Sequence, residues 1–167
     1  MVRASALEPP PIIVGVADLC SSNAANGVIT TYALGSCLGV TCYDAVKKSG
    51  ALLHAMLPDS KKIDSPKAAA SMFLDTGIQE LLQTMRRLGS NTDRCEFKVF
   101  GGARVLQAQD YFNIGSRNVA MMQDLALLYH LRVTTWEVGG QTNRTIRLFL
   151  DDGRVQLKMP SRPETFV

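Results

Sequence analysis

The stretch TTYALGSCLGVTCYDAVKKSGALLHAMLP occupies residues 30–58 and contains two apolar runs separated by a polar turn. The runs Cys37–Asp44 and Gly50–Pro58 are predicted to be strands, because they are bounded by turn-forming residues. Side chains alternate along a strand, so His54 falls on one face with apolar neighbours, and the other face is also apolar. A strand that is apolar on both faces is predicted to lie inside a sheet or sandwich.

The rest of the chain adds further strands and two helices. Ser65 and Pro66 favour a helix start, and the spacing of apolar residues predicts a helix over Lys67–Leu88. Asn113 is predicted to cap a second helix over Ile114–Tyr129. The other predicted strands are Ile12–Ala17, Val28–Ala33, Glu96–Phe100, Arg132–Val138, Arg144–Leu150 and Arg154–Met159. This order predicts a single α/β domain with mostly antiparallel strands and two main helices packed against them.

Composition narrows the class of protein. The net charge is only +3 and the 18 basic residues are scattered, which disfavours nucleic-acid binding. No apolar run approaches the roughly 18 residues of a membrane span, and the N-terminus lacks the apolar core of a secretory signal. We therefore expect a cytoplasmic protein, in which the four cysteines are reduced. The expected organisation is a flexible N-terminal tail at 1–11, a domain at 12–160 and a C-terminal tail at 161–167.

Cys37 and His54 are the candidate nucleophile and base. A thiol needs a base near neutral pH, and an imidazole is the usual one. Cys37 follows a Gly35-Ser36 turn, where outward-pointing backbone N–H groups are suited to hold a developing oxyanion. Spacing alone does not bring the pair together. If Lys47 is the tip of the hairpin, His54 lies opposite Val40, about 10 Å along the strand from Cys37.

Several other interpretations remain open at this stage. Thr30, Thr31, Thr41 and Asp44 are all near enough in sequence to orient the imidazole, and position does not choose among them. A zinc site built from Cys37, Cys42 and His54 is disfavoured, because the two cysteines would face opposite sides of one strand and a fourth ligand is not evident. Cys42 and Cys95 are predicted to be buried apolar residues.

An ordered series of motifs gives the chain a family resemblance. Leu34-Gly35-Ser36-Cys37 is followed by His54 in a run ending Met-Leu-Pro, and the series continues through Asp75-Thr76, Phe100-Gly101-Gly102-Ala103, Asn113-Ile114-Gly115-Ser116-Arg117-Asn118-Val119 and Gly139-Gly140. Over roughly residues 12–160 the chain resembles CheD, the chemoreceptor glutamine deamidase family of bacterial chemotaxis. The resemblance implies a three-layer α/β/β sandwich.

The resemblance also implies a Cys-His-Thr triad of Cys37, His54 and Thr31, the last lying six residues before the cysteine. The implied reaction is hydrolysis of glutamine side chains on methyl-accepting chemotaxis receptors, through a cysteine thioester, to glutamate and ammonia. It needs no metal or organic cofactor. The implied partners are the receptors, through which alone the protein would meet the membrane, and the CheC phosphatase.

The chain departs from the family pattern at two places. Arg104-Val105-Leu106 stands where Asn-Met-Phe is usual, and Glu137-Val138 stands where Asp-Thr or Asp-Val is usual. These positions flank the motifs, so they bear on the choice of substrate or partner more than on the chemistry. Two other functions stay open: a non-catalytic binding module that regulates CheC or the receptor, and a cysteine amidase or peptidase acting on small substrates.

Overall fold

The computed structural model describes residues 9–104, 112–160 and 162–167, which form two five-stranded sheets and two α-helices. The helices are α1 (Leu74–Arg87) and α2 (Ile114–Leu128). The strands are β1 (Ile12–Val14), β2 (Asp18–Ser22), β3 (Val28–Leu34), β4 (Leu38–Asp44), β5 (Ser49–Ala55), β6 (Glu96–Gly101), β7 (Arg132–Val138), β8 (Arg144–Phe149), β9 (Val155–Met159) and β10 (Arg162–Phe166).

The molecule has three layers. An inner sheet, in the order β2-β5-β4-β6-β7, lies between an outer sheet, in the order β1-β3-β8-β9-β10, and the helix layer. Only the β1–β3 and β6–β7 pairs are parallel among the strand pairs that the structure describes. The predicted α/β/β sandwich with mostly antiparallel strands and two main helices is therefore confirmed. Neither described helix combines the length and the apolar character needed to span a membrane.

Strands β4 and β5 form the centre of the inner sheet, and all their residues are buried. Even-numbered β4 residues such as Cys42 pack in the core beneath the helices, whereas Tyr43 packs between the two sheets. In β5, Leu53 faces the helices and Leu52 faces the outer sheet. The prediction of an interior strand that is apolar on both faces is confirmed.

The register of the β4–β5 hairpin differs by one residue from the predicted register. Asp44 pairs with Ser49, and His54 lies opposite Gly39 instead of the predicted Val40. The Asp44 carboxylate accepts hydrogen bonds from the backbone amides of Val46 and Lys47 at 3.0 and 3.3 Å, which closes the turn at this register. A register shift of one residue changes which side chains of the two strands share a face. The observed register therefore decides whether Cys37 and His54 lie on the same face.

Helix α1 is shorter than predicted. A single 3-10 turn at Ala70–Met72 precedes it, and its first residue is Leu74 instead of Lys67. Its buried residues include Gly77, Leu81 and Met85, which recur every fourth residue and so lie on one face of the helix. Asn113 occupies the N-cap position of α2, as predicted, but it adopts a left-handed backbone conformation (φ 48°) and its side chain makes no capping hydrogen bond.

Two strands were not predicted. The segment Asp18–Ser22 forms β2 beside β5, between the predicted strands Ile12–Ala17 and Val28–Ala33. Residues 161–167 were expected to form a tail, but Arg162–Phe166 pairs with β9 at the edge of the outer sheet. Residues 1–8 of the expected N-terminal tail lie outside the described part of the chain.

Candidate active site

The register of β4 and β5 places Cys37 and His54 on the same face of the inner sheet. His54 lies opposite Gly39, and Cys37 is two residues before Gly39, so alternation directs both side chains towards the outer sheet. Cys37 packs at the margin of the core between the sheets. Such diagonal positions on neighbouring strands are about 7–8 Å apart, within reach of long side chains.

Thr31, in the outer sheet, holds the imidazole from across the layer. Its hydroxyl oxygen lies 2.7 Å from His54 Nδ1 and donates to the carbonyl oxygen of Val14, also at 2.7 Å. A threonine hydroxyl has one hydrogen, and here that hydrogen forms the hydrogen bond to the Val14 carbonyl. Nδ1 must therefore carry a proton and donate to Thr31, which leaves Nε2 as the unprotonated nitrogen.

Nε2 of His54 has no hydrogen-bond partner among the described residues, although it is buried. Burial removes the ring from water and lowers the pKa of His54 from 6.5 to about 4. The ring is therefore neutral at physiological pH, with a basic lone pair on Nε2. A buried acceptor without a partner is unusual and needs an explanation, and readiness to take a proton from a thiol supplies one.

Cys37 is half-buried and is a free thiol. Burial raises its pKa above the ordinary value, and a contact from its own backbone amide acts in the opposite, smaller direction. With His54 also neutral, the resting pair is a thiol beside an imidazole and not a preformed ion pair. Within the described residues no hydrogen bond joins Sγ to Nε2; such bonds often tighten only when a substrate is bound.

The Gly35-Ser36-Cys37 turn has all three of its carbonyl groups engaged. Ala103 N donates to the Gly35 carbonyl at 2.8 Å, and Gly102 N donates to the Cys37 carbonyl at 2.9 Å. The Ser36 carbonyl accepts from the side chain of Asn118 at 2.9 Å. Within the described chain, the amides of Ser36 and Cys37 donate to no backbone carbonyl. The two N–H groups beside the thiol therefore have no backbone acceptor among the described residues, as an oxyanion-binding site would require.

A buried arginine supports the loops behind this turn. Arg144 of β8 donates to the carbonyls of Gly101 at 3.3 Å and Gly139 at 2.8 Å. Gly101 has φ +106°, and a Cβ there would overlap the Cys37 carbonyl oxygen. Gly101-Gly102 therefore contacts the Cys37 carbonyl directly, whereas Gly139-Gly140 lies one step behind it, with Gly139 N donating to the Gly101 carbonyl at 2.9 Å.

Asn118 is a buried polar residue that the sequence analysis did not single out. It lies on α2, is fully buried, and its Nδ2 also donates to the carbonyl of Met56 at 3.1 Å. The available clue was an asparagine on the inward stripe of a helix, between Gly115 and Met122, where an apolar residue is usual.

The other candidates lie elsewhere. Cys42 faces the helix layer, so the zinc set considered above is not brought together. Asp44 lies at the far end of the hairpin, where its carboxylate binds Arg94. Thr41 bonds to the Lys98 carbonyl, and the buried hydroxyl of Thr30 has no partner among the described atoms.

No cluster of three or more His, Cys, Asp or Glu side chains that could hold a metal ion occurs within the described ranges. Of the positions that depart from the family pattern, Glu137 accepts a hydrogen bond from Arg162 at 2.8 Å. Val105 and Leu106 lie outside the described residues.

Comparison with known proteins places the chain among named relatives. A family model described as CheD chemotactic sensory transduction matches residues 56–159. A protein of Syntrophus aciditrophicus named "Probable chemoreceptor glutamine deamidase CheD 1" is 37% identical over 153 residues, which is 91% of this chain and 96% of the relative. A protein of Pyrococcus abyssi named "Probable chemoreceptor glutamine deamidase CheD" is 38% identical, covering 88% of this chain and 90% of the relative. One of the same name from Solibacter usitatus is 37% identical over 93% of each chain.

Proposed function

The chain belongs to the CheD family, and on this premise we propose that it is a chemoreceptor glutamine deamidase with Cys37 as its nucleophile. The substrate is a glutamine side chain of a methyl-accepting chemotaxis receptor, and the products are glutamate and ammonia. The observation that carries the assignment of residues is the hydrogen bond between Thr31 and His54 Nδ1, because it leaves Nε2 free as a base on the face that Cys37 shares.

The first half of the reaction forms a thioester. Sγ of Cys37 attacks the carboxamide carbon while Nε2 of His54 takes the thiol proton. The carbonyl oxygen becomes an oxyanion, which the amides of Ser36 and Cys37 bind. As the tetrahedral intermediate collapses, the C–N bond breaks and the imidazolium returns its proton to the leaving nitrogen, which departs as ammonia.

The second half uses water. Nε2 takes a proton from a water molecule as its oxygen attacks the thioester carbonyl, and the same amides bind the new oxyanion. The C–S bond then breaks, the sulfur recovers a proton from the imidazolium, and glutamate is released. Throughout, the Thr31 hydroxyl accepts a hydrogen bond from Nδ1–H and keeps the ring in one tautomer. This is the role of the third member of a triad.

The test is ammonia release from the cytoplasmic fragment of a chemoreceptor, with mass spectrometry of its peptides to find glutamine converted to glutamate. Cys37→Ala and His54→Ala should each abolish both readouts. The matched control is Cys42→Ala, in strand β4, which Cys37 immediately precedes, but facing the helices; it should retain most of the activity. Full activity of Cys37→Ala would refute the mechanism.

The alternative of a binding module makes the opposite prediction. A site that only held a receptor or a regulator would bind the receptor fragment equally well before and after substitution of Cys37 and would release no ammonia. The cysteine amidase or peptidase alternative predicts ammonia or peptide release from short glutamine-containing peptides at the rate seen with the folded receptor fragment. The wild-type assay run on both substrates separates the three functions.

We extend the proposal to the partners and the location of the protein. The enzyme acts in the cytoplasm and meets the membrane only through its receptor. CheC, the phosphatase that the resemblance implies, would inhibit by covering the half-buried Cys37. Added CheC should then lower both ammonia release and alkylation of Cys37 in the same proportion, whereas a CheC that acts elsewhere would leave alkylation unchanged.

A further inference from the structure

From the contacts of Asn118 we infer that this residue positions the oxyanion-binding amide of Cys37. The hydrogen bonds of Asn118 go to two backbone carbonyls and to neither the thiol nor the imidazole, so it is a positioning residue and not a catalytic one. The inference rests on the proposed deamidase function and extends it to a residue on α2 that lies 81 positions after the nucleophile in the sequence.

The planar peptide bond between Ser36 and Cys37 links the direction of one carbonyl to the direction of one N–H group. The Ser36 carbonyl and the Cys37 N–H belong to one trans peptide unit, in which the C=O and N–H bonds point in opposite directions. Nδ2 of Asn118 donates to that carbonyl at 2.9 Å. Fixing the carbonyl towards α2 therefore fixes the Cys37 N–H away from α2.

The same reasoning applies to the preceding unit, with a different anchor. The amide of Ala103 donates to the Gly35 carbonyl at 2.8 Å, so the Ser36 N–H also points away from its anchor. One of the two candidate oxyanion donors is therefore oriented by a backbone group and the other by the side chain of Asn118. A substitution can remove the side chain of Asn118 but not the backbone amide of Ala103. The role of Asn118 can therefore be tested by mutation.

Asn118 also reaches the strand that carries the base. Its second Nδ2 hydrogen bonds to the carbonyl of Met56 at 3.1 Å, two residues beyond His54. Because both acceptors are carbonyl oxygens, the amide nitrogen must face them, and this settles which way the amide is turned. One side chain thus joins the end of β5 to the turn before β4.

The close approach of α2 explains how Asn118 reaches the turn. A Cβ at Gly115 would lie 2.6 Å from the Ala103 carbonyl oxygen, and one at Gly102 would lie 2.5 Å from a methyl group of Val119. Only glycine permits helix and loop to pack at this distance. The two glycine-containing motifs around these residues, which the proposed chemistry leaves unexplained, therefore form the surface that seats Asn118.

The cost of this arrangement indicates that it has a function. The side chain of Asn118 is fully buried, and its Oδ1 has no hydrogen-bond partner among the described residues. A buried acceptor without a partner is destabilising. An apolar residue such as that at Met122, one turn later and also fully buried, would serve packing alone at no such cost.

The experiment compares Asn118→Ala with Met122→Ala, which removes a buried side chain from the same face of α2 without touching the turn. Ammonia release from the receptor fragment gives kcat and KM. For Asn118→Ala we expect kcat to fall about 10- to 100-fold, less than the loss seen when an oxyanion donor is removed outright, with KM nearly unchanged. For Met122→Ala we expect stability to fall and kcat to stay within about twofold of wild type at a temperature where both variants are folded.

Asn118→Asp is the second variant, and it keeps the shape of the side chain. It places an oxygen against two carbonyl oxygens, so kcat should fall at least as far as in Asn118→Ala. A wild-type kcat in either Asn118 variant, or an equal fall in Met122→Ala, would overturn the inference and leave the proposed deamidase function untouched.

Backbone amide NMR gives a readout that does not depend on activity. In whichever Asn118 variant is folded, the signals of Ser36 and Cys37 should shift or double as the Ser36–Cys37 peptide unit gains a second orientation, while Met122→Ala should leave them in place. Unchanged signals in the Asn118 variant would refute the positioning role. If those signals change but wild-type protein releases no ammonia from receptor, the positioning role stands and the deamidase proposal fails.

Discussion

Substitution of Thr31 by valine tests the orientation of the base directly. Valine has nearly the shape of threonine but no hydroxyl, so it removes the two 2.7 Å hydrogen bonds to Val14 and His54 and little else. Nδ1–H would then be buried without an acceptor, and the ring would lose the contact that selects its tautomer. The form with the proton on Nε2, which is unable to accept the thiol proton, would become populated.

The expected magnitude follows from the burial of both partners. A buried polar group left unpaired costs about 1–3 kcal/mol, so two such groups should lower the free energy of unfolding by about 2–4 kcal/mol, since such losses are not fully additive. At about 1.4 kcal/mol per tenfold change, the loss of ring orientation should lower kcat/KM about 10- to 100-fold.

The matched control is Thr30→Val, the same substitution one residue earlier in β3. The Thr30 hydroxyl is buried and has no hydrogen-bond partner among the described residues, so its removal should leave activity unchanged and stability unchanged or higher. Thr31→Ser keeps the hydroxyl and should recover most of the activity despite the lost methyl group. Ammonia release and urea unfolding, run side by side, supply both numbers.

Two outcomes would refute this reasoning. Equal activity of Thr31→Val and Thr30→Val would show that the hydroxyl does not orient the base. A Thr31→Ser variant as inactive as Thr31→Val would show that the methyl group, and not the hydrogen bond, is what the site requires.

Three further predictions concern ionisation. Burial lowers the pKa of His54 from 6.5 to about 4, so between these pH values the unfolded state binds a proton that the folded state does not. The free energy of unfolding, measured with urea, should therefore be unaffected by this group above pH 6.5 and should fall by about 3 kcal/mol as the pH drops to 4. This acid dependence should be missing in His54→Gln. Hydrogen bonds from Arg94 are the main cause that lowers the pKa of Asp44 from 3.8 to about 2, so this pair stabilises the folded state above pH 3.8 and loses that effect towards pH 2. Arg94→Gln should move the midpoint of acid unfolding to higher pH, and an unchanged midpoint would contradict the pairing. Iodoacetamide should modify the half-buried Cys37 in the folded protein at a rate that rises only at alkaline pH, because burial raises its pKa, while the fully buried Cys42 should react only after unfolding; rapid labelling of Cys37 at pH 7 would contradict a neutral resting thiol.

The sequence predicted the central strands well, because the alternation of side chains between the two faces of a strand depends only on neighbouring residues. Alternation along β5 placed Leu52 and His54 on one face and Leu53 on the other, as the structure shows. The same patterns missed β2 and β10. Both strands lie at or near a sheet edge and carry polar residues, so their strand structure comes from pairing with a neighbour and not from their own hydrophobic pattern.

Hydrophobic patterns could not predict the relative position of Cys37 and His54, for a different reason. It depends on the hairpin register, which the turn at Asp44 sets with help from Arg94, 50 residues away in sequence. The choice of Thr31 over Thr30 likewise depends on which face of β3 meets the inner sheet. Sequence spacing carried neither piece of information. The triad that we propose comes from the family resemblance, and the hydrogen bonds of the Thr31 hydroxyl indicate the tautomer of His54.

A neutral resting site has a consequence for how this chemistry is driven. With the pKa of Cys37 raised and that of His54 lowered by burial, no thiolate is stored at neutral pH. In the mechanism that we propose, the thiol proton therefore moves as the carbon–sulfur bond forms, and the charges that appear are an oxyanion beside Ser36 and Cys37 and an imidazolium beside Thr31. Each of these already faces an oriented dipole: Ala103 and Asn118 hold the carbonyls behind the two amides, and the Thr31 hydroxyl is held by Val14. Preorganised dipoles lower the energy of charges that form only in the transition state, and the burial that keeps the resting pair neutral also makes those dipoles more effective.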